Sequence, residues 1–245
     1  MLSPNAYPEI HDKVLELIQD IVSKTQKKKQ LRILDAAAGN GYITKKLYES
    51  GHHVTPLDID ISQWSIPSVE CIQHDLEKSI PFSDGFFDLA ISIETIEHLE
   101  NPFHFIRELS RVVRTQGIII ITTPNVHSVK SRIKYFFLGY PCLFQYAKAS
   151  KEHIMPVNIG MFLYGFDKCN IQLFDVVSVG PRQSLMSNTM LSIVNFFTNL
   201  RNNIFENKDT KGADYYLFRL SKDQLAELTS DICLIIVGVK MALSE

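Results

Sequence analysis

Three acids and one run of small residues hold most of the chemistry that can be read from this chain. In the segment 31–41, LRILDAAAGNG, a β-branched and leucine-rich run ends at Asp35 and passes through Ala36, Ala37, Gly39 and Gly41 before a helical pattern begins. Small residues keep such a turn thin, so backbone N–H groups at the start of the following helix can meet a polar or anionic ligand. Asp35 brings a carboxylate to the same space. Asp58 follows 23 residues later, closing the run VTPLD, near the distance at which nucleotide-cradling units place an acid on ribose hydroxyls. Asp60 competes by spacing, and a strand-ending acid is also a good helix N-cap, but the strand run itself ends at Asp58. Asp75, with apolar Leu76 beside it, follows another short strand; the pair suits the amino edge and ring face of an adenine. The dinucleotide fingerprint is not met, because Gly39-Asn40-Gly41 leads into Tyr42, Ile43 and Thr44 where that pattern needs glycine or alanine. Hydride chemistry is disfavoured.

Positioning these groups requires alternating strands and helices. Apolar spacing predicts a lead-in helix over 11–23, strands over 31–35, 53–58, 69–74 and 87–93, and helices over 42–50 and 103–114. The stretch GIIIIT, 117–122, predicts a strand buried on both faces. Beyond Pro124 the pattern is less regular: a helix over 126–140, a turn-rich stretch over 142–158, and strands over 174–179 and 232–239. About fifty residues between the last two strands form an insertion, long for an ordinary connection. Alternation of this kind predicts an α/β fold with a parallel sheet. The expected organisation is a single domain, 1–245, with an N-terminal helix in 1–30, a ligand-binding half in 31–125, and acceptor-region or lid insertions at 126–171 and 181–230.

Composition removes several classes. At 245 residues and 45% hydrophobic content the chain can bury a full α/β core, and disorder is not a serious reading. A net charge of −2 supplies no global basic field, so no nucleic acid partner is expected. Cys71, Cys142, Cys169 and Cys233 form no CxxC pair, indicating neither a zinc site nor a disulfide framework. The histidines, including the adjacent His52 and His53, show no metal-ligand spacing, and no metal is expected. No targeting pattern opens the chain and no apolar run reaches a membrane-spanning length, so a cytoplasmic, at most membrane-peripheral, location is expected.

The wider pattern resembles class I S-adenosylmethionine-dependent methyltransferases. Their first motif is an acid followed by alternating glycines, and Ala37 stands where the first of those glycines falls. The resemblance implies a Rossmann-like, seven-stranded, mostly parallel sheet with helices on both faces and an antiparallel C-terminal hairpin. It also implies S-adenosyl-L-methionine as cofactor. Asp35 and the backbone of Ala36, Ala37, Gly39 and Gly41 would then receive the methionine end, Asp58 and Ile59 the ribose side, and Asp75 and Leu76 the adenine. The run 81–99 is similar to the family's fourth-strand motif, in which a strand finishes at Ile93 and Glu94 opens a loop beside the sulfur. Tyr7 falls where some relatives lay an aromatic over the methionine moiety; packing an N-terminus explains it equally well.

Methyl transfer from a sulfonium is an in-line displacement that requires no covalent nucleophile, so alignment and exclusion of water are the protein's main tasks. A hydroxyl acceptor additionally needs a base, for which His98 and His153 are the candidates. The competing account of His98 has it packing a short helix while Glu97 binds a backbone N–H. His153 lies in KEHIMPVN, which resembles a HIxP element of methyltransferases from polysaccharide-biosynthesis clusters. That likeness implies a small-molecule or glycan acceptor, with O-methylation of a sugar or lipid-linked sugar hydroxyl. Methylation of a quinone-like lipid and a non-catalytic cofactor-binding protein are the alternatives. Val129, Ile133, Phe136, Phe137 and Tyr140 recur at helical spacing among Lys130, Arg132 and Lys134, which reads either as core or as a basic amphipathic surface for peripheral membrane contact. A second stripe, Met190, Ile193, Val194, Phe197, Leu200 and Ile204, reads as a lid, a homodimer contact or a lipid contact.

Overall fold

The computed structural model describes residues 7–24, 30–144, 153–180 and 233–242, so the stripe at 190–204 lies outside the described residues. In chain order the elements are α1 (Pro8–Lys24), β1 (Arg32–Ala36), α2 (Tyr42–Glu49), β2 (His53–Asp58), β3 (Ile72–Gln73), β4 (Phe87–Ser92), α3 (Pro102–Val112), β5 (Val113–Pro124), α4 (Val129–Leu138), α5 (Ile159–Lys168), β6 (Ile171–Val179) and β7 (Cys233–Lys240). Two single-turn 3-10 helices, Ile61–Gln63 and Ile96–His98, follow β2 and β4. The strands form one sheet in the order β3-β2-β1-β4-β5-β7-β6. Its first five strands are parallel, and β7 runs antiparallel to both β5 and β6. This is the expected α/β, Rossmann-like architecture with an antiparallel C-terminal end.

Period-two alternation divides the core. Ile33, Leu89, Ile91, Ile120, Ile235 and Val237 face a layer formed by α1 and α2, with Val14, Ile18, Ile43 and Leu47. Leu34, Ala90, Ile119, Ile121, Leu234 and Ile236 face the other layer, where Phe105, Leu109, Phe162 and Phe166 of α3 and α5 close over them. Every residue of β4 is buried: Leu89, Ala90 and Ile91 fill both faces of the sheet, while Asp88 near its start pairs with Arg114 and Arg32.

Boundaries depart from the sequence reading at identifiable places. β3 has two residues rather than six, both exposed at the sheet edge; the preceding chain is drawn away by Trp64, whose Nε1 donates to the Val69 carbonyl at 2.9 Å. β5 begins at Val113, directly after α3, so the predicted helix ends two residues early. β6 begins at Ile171 instead of 174, because Ile171 pairs with Lys240 of β7. Helix α5 has no counterpart in the sequence reading. Gly160 and Gly165 weaken its intrinsic propensity, and tertiary contact compensates: a Cβ at Gly165 would lie 3.0 Å from Ile106 Cδ1, so the glycine permits close approach of α5 to α3. Asn158 caps the helix by accepting from the Met161 N–H. No helix among the described residues is long and apolar enough to cross a membrane.

Candidate active site

The turn between β1 and α2 is held by its own backbone. Ala37 and Ala38 both donate to the Leu57 carbonyl at 2.9 Å, and Gly41 donates to Ala38 at 2.9 Å. Gly39 donates to the Asp58 carboxylate at 2.7 Å. Ala37, Gly39 and Gly41 all have positive φ, at 70°, 57° and 86°. The turn is thus rigid before any ligand arrives; the Tyr42 N–H that opens α2 donates to the Asn40 side chain at 3.1 Å, and the N–H groups of Ile43 and Thr44 behind it have no intrahelical carbonyl to bond. The alanine at 37 carries a cost, since a left-handed backbone disfavours a Cβ by about 1–2 kcal/mol. Ala37→Gly should therefore stabilise the fold by about 0.5–1 kcal/mol after the flexibility of glycine in the unfolded chain is counted. A rise in the urea midpoint at constant slope checks this.

Asp35 is 1% exposed and accepts from the Thr44 hydroxyl in the first turn of α2. Burial raises its pKa from 3.8 to about 7, the Thr44 hydroxyl offsetting part of the effect and the charge of Asp58 adding to it. Ala36 is fully buried behind it. At the end of β2, Asp58 accepts from Gly39 with one oxygen and from the Asp60 N–H with the other, at 2.9 Å. Each oxygen keeps a lone pair for a further donor. Asp60 instead accepts from Ser62 N–H and caps the 3-10 turn. Ile59 is 65% exposed, and Leu76 is buried. The Glu77 N–H bonds Asp75 at 3.0 Å and holds its carboxyl below the usual carboxylate range. Tyr7 is exposed at the head of α1, where its carbonyl accepts from Ile10.

Past β4, Ile93 is half-buried and Glu94 takes a positive φ of 48°. The Glu94 backbone N–H donates to Thr122 Oγ1 at 2.9 Å, while its carboxylate accepts from Thr122 and from Cys233 Sγ, at 3.1 and 2.9 Å. Burial raises its pKa, partly offset by those two donors. Three residues on, Glu97 is 0% exposed and neither carboxylate oxygen is in a well-formed hydrogen bond, although its own backbone N–H and the Thr123 hydroxyl lie near enough to favour its charged form. Burial, then the charge of Glu94, push its pKa well above the ordinary glutamate value.

His98 and His153 are brought together. Their rings lie 4.8 Å apart, and His153 Nε2 is 3.9 Å from Glu97 Oε1. The main chain makes this approach: Ile154 and Met155 N–H both donate to the Glu97 carbonyl at 2.9 Å. Glu97 therefore binds two backbone N–H groups, through its carbonyl rather than its carboxylate. Fully buried Phe144 packs on His153 at 5.2 Å. Burial, then neighbouring His98, lower the His153 pKa to about 4. An imidazole that holds a proton so weakly is a poor base for an alcohol but keeps a free lone pair. Sequence alone made both histidines candidates and gave Glu97 only a structural part, because its one signal was an acid inside a run that the fold buries.

The exposed face of α4 is also settled. Tyr135, Phe136, Phe137 and Leu138 are exposed, Phe136 by 81%, so this stretch is surface and the core account of its stripe is corrected. Only Val129 and Ser131 of the helix are buried.

Comparison with known proteins agrees with this geometry. Residues 34–121 match a family model described as "Methyltransferase domain". A "Probable S-adenosylmethionine-dependent methyltransferase" of Mycobacterium tuberculosis is 31% identical over 98 residues, 38% of this chain and 35% of the relative. A ubiquinone biosynthesis O-methyltransferase of Maricaulis maris is 30% identical over 104 residues, 39% of this chain and 41% of the relative. The crystal structure of a SAM-dependent methyltransferase from Archaeoglobus fulgidus superposes with a TM-score of 0.59 at 15% identity, covering 92% of this chain and 94% of that one. The chain is thus similar to methyltransferases over residues 34–121 and shares a Rossmann-like fold with them. It spans 35% to 41% of the length of the two curated relatives just described.

Proposed function

We propose that this chain binds S-adenosylmethionine along the carboxyl ends of β1, β2 and β4 and transfers its methyl group to a hydroxyl oxygen of a small, amphiphilic acceptor. The carrying observation is the preformed turn at 37–41, locked to Asp58 through Gly39 N–H. It is thin enough for close approach, and it is flanked by an acid at each strand end. When bound, the cofactor supplies an electrophilic methyl on a positively charged sulfur. Asp35 takes the ammonium end and Asp58, with Ile59 beside it, the ribose side, while Asp75 and Leu76 flank the adenine. Ile93 and Glu94 lie toward the sulfur. Beyond them Glu97, His98 and His153 border the acceptor side.

An oxygen acceptor is supported by the relative named as a ubiquinone biosynthesis O-methyltransferase. The exposed aromatics of α4, interleaved with Lys130, Arg132 and Lys134, favour a quinol-like phenol presented at a lipid surface over a free sugar. The sugar hydroxyl expected from the HIxP likeness draws no support from these relatives. Calorimetric titration with S-adenosylhomocysteine tests the cofactor. Tight binding is expected, and Asp58→Ala should weaken it by about 1–3 kcal/mol, roughly five- to 150-fold, by leaving ribose hydroxyls unpaired. Absence of binding by the unaltered chain would overturn the reading. A methyl-release assay across quinols, nucleotide sugars and lipid-linked sugars then decides the acceptor, and release from none of them would return the non-catalytic alternative.

A further inference from the structure

We propose that Glu97, His98 and His153 form a binding site for one divalent transition-metal ion of the Mn2+ to Zn2+ series. One carboxylate oxygen and one nitrogen from each ring all lie within 4.8 Å of one another. Around an ion with bonds of about 2.1 Å, adjacent donors stand roughly 3.0–3.4 Å apart, so closure asks the widest pair to contract by at most roughly 1.4–1.8 Å, within the range of side-chain torsions. The donors come from two segments far apart in sequence, joined by two backbone hydrogen bonds from Ile154 and Met155 to the Glu97 carbonyl. That clamp fixes His153 against the 3-10 turn carrying Glu97 and His98.

The second observation is Glu97 itself. A carboxylate with no exposure and no well-formed hydrogen bond on either oxygen is rare, because buried acids are ordinarily hydrogen-bonded, paired or coordinated to a metal. His153 Nε2, at 3.9 Å, is too distant to satisfy it. A single hydroxyl, that of Thr123, lies near enough to act on this charge, and it has one proton to donate for two oxygens. Glu94 cannot help: it is a second acid nearby, with its own carboxylate taken up by Thr122 and Cys233. A cation answers both the unmatched oxygens and the like charges. Two imidazole nitrogens with one carboxylate is a donor set of first-row transition ions that leaves coordination positions open, whereas Mg2+ and Ca2+ favour oxygen alone.

The expectation of no metal came from sequence spacing. His98 and His153 stand 55 residues apart, and no periodicity joins them. Ion binding is independent of the proposed methyl transfer; only its use in the reaction rests on that reading. An acceptor hydroxyl on an open position of the ion would be acidified. Its proton would pass to water, and the oxygen lone pair would form the C–O bond while the C–S pair stays with sulfur.

Titrating the full chain with Mn2+ alone, followed by electron paramagnetic resonance, tests the site without cofactor or acceptor. One saturable ion per chain is expected, displaced by Zn2+. Glu97→Gln and His153→Ala should each weaken binding by more than about tenfold with unchanged circular dichroism, while His53→Ala, an exposed histidine elsewhere, should leave it intact. If Glu97→Gln fails to fold, His98→Ala and His153→Ala decide. No saturable Mn2+ binding by the unaltered chain, or unaltered affinity in both histidine variants, would overturn the site. S-adenosylhomocysteine binding without Mn2+ binding refutes only the metal, and Mn2+ binding without S-adenosylhomocysteine binding refutes only the methyl-transfer reading.

Discussion

Gly41→Ala should destabilise the fold by about 2–4 kcal/mol and abolish measurable cofactor binding in the fraction that still folds. Two separate costs meet at this position. Its φ of 86° lies in the left-handed region, which charges a Cβ about 1–2 kcal/mol. The new methyl would also stand 2.7 Å from both Ile66 Cγ1 and Trp64 Cζ3, and overpacking of that kind adds about 1–3 kcal/mol. Reduced freedom of the unfolded chain returns less than about 1 kcal/mol. Trp64 cannot simply swing aside, because its indole N–H is bonded to the Val69 carbonyl. Relief must come from the turn, which is the part that receives the ligand. Chemical denaturation gives the first effect and calorimetry the second; an unchanged denaturation midpoint would mean that the 64–66 segment yields freely.

Asp35 should make stability fall as pH rises. Its carboxyl titrates near pH 7 in the folded protein, against about 3.8 when unfolded. A group whose folded pKa is raised in this way costs nothing below the unfolded value, progressively more between about pH 4 and 7, and a constant amount above. At 1.36 kcal/mol per pH unit, that plateau is on the order of 4 kcal/mol. Asp35→Asn should remove it, flattening the stability profile between pH 4 and 7 and leaving the variant more stable than the parent at pH 8. The same variant should bind S-adenosylhomocysteine more weakly, because an amide cannot pair with the ligand's ammonium. Thermal unfolding from pH 4 to 8, alongside calorimetry, checks both signs. A chain that keeps so costly an acid at the end of β1 gains something from its charge, and the proposed cofactor cation is the group that needs it.

Much of the cofactor half was legible because its determinants are local. The run ILDA is a strand because Ile33 and Leu34 put apolar side chains on both faces ahead of Asp35, and the small residues after that acid announce a turn no bulkier sequence could make. Asp58 stood out over Asp60 because the strand pattern stops there, and the backbone uses the two acids differently: Asp58 holds Gly39, Asp60 caps the next turn. Helix α5 was illegible for the opposite reason. Its glycines argue against a helix when read alone, and only the proximity of Ile106 explains why one of them is wanted. The α4 aromatics were ambiguous because helical spacing is the same for a buried face and for an exposed one.

The order of strand and helix, the thin turn after β1 and the acids at the strand ends were set by neighbours along the chain, through periodicity, backbone freedom and side-chain size. Tertiary structure decided what those signals cannot carry. It buried Asp35 and Glu97, left Phe136 and Phe137 in the open, and set His153 against Glu97 through two main-chain hydrogen bonds across more than fifty residues. Desolvation and long-range contact depend on what else arrives at a point in space, and the chain writes that down nowhere in one place.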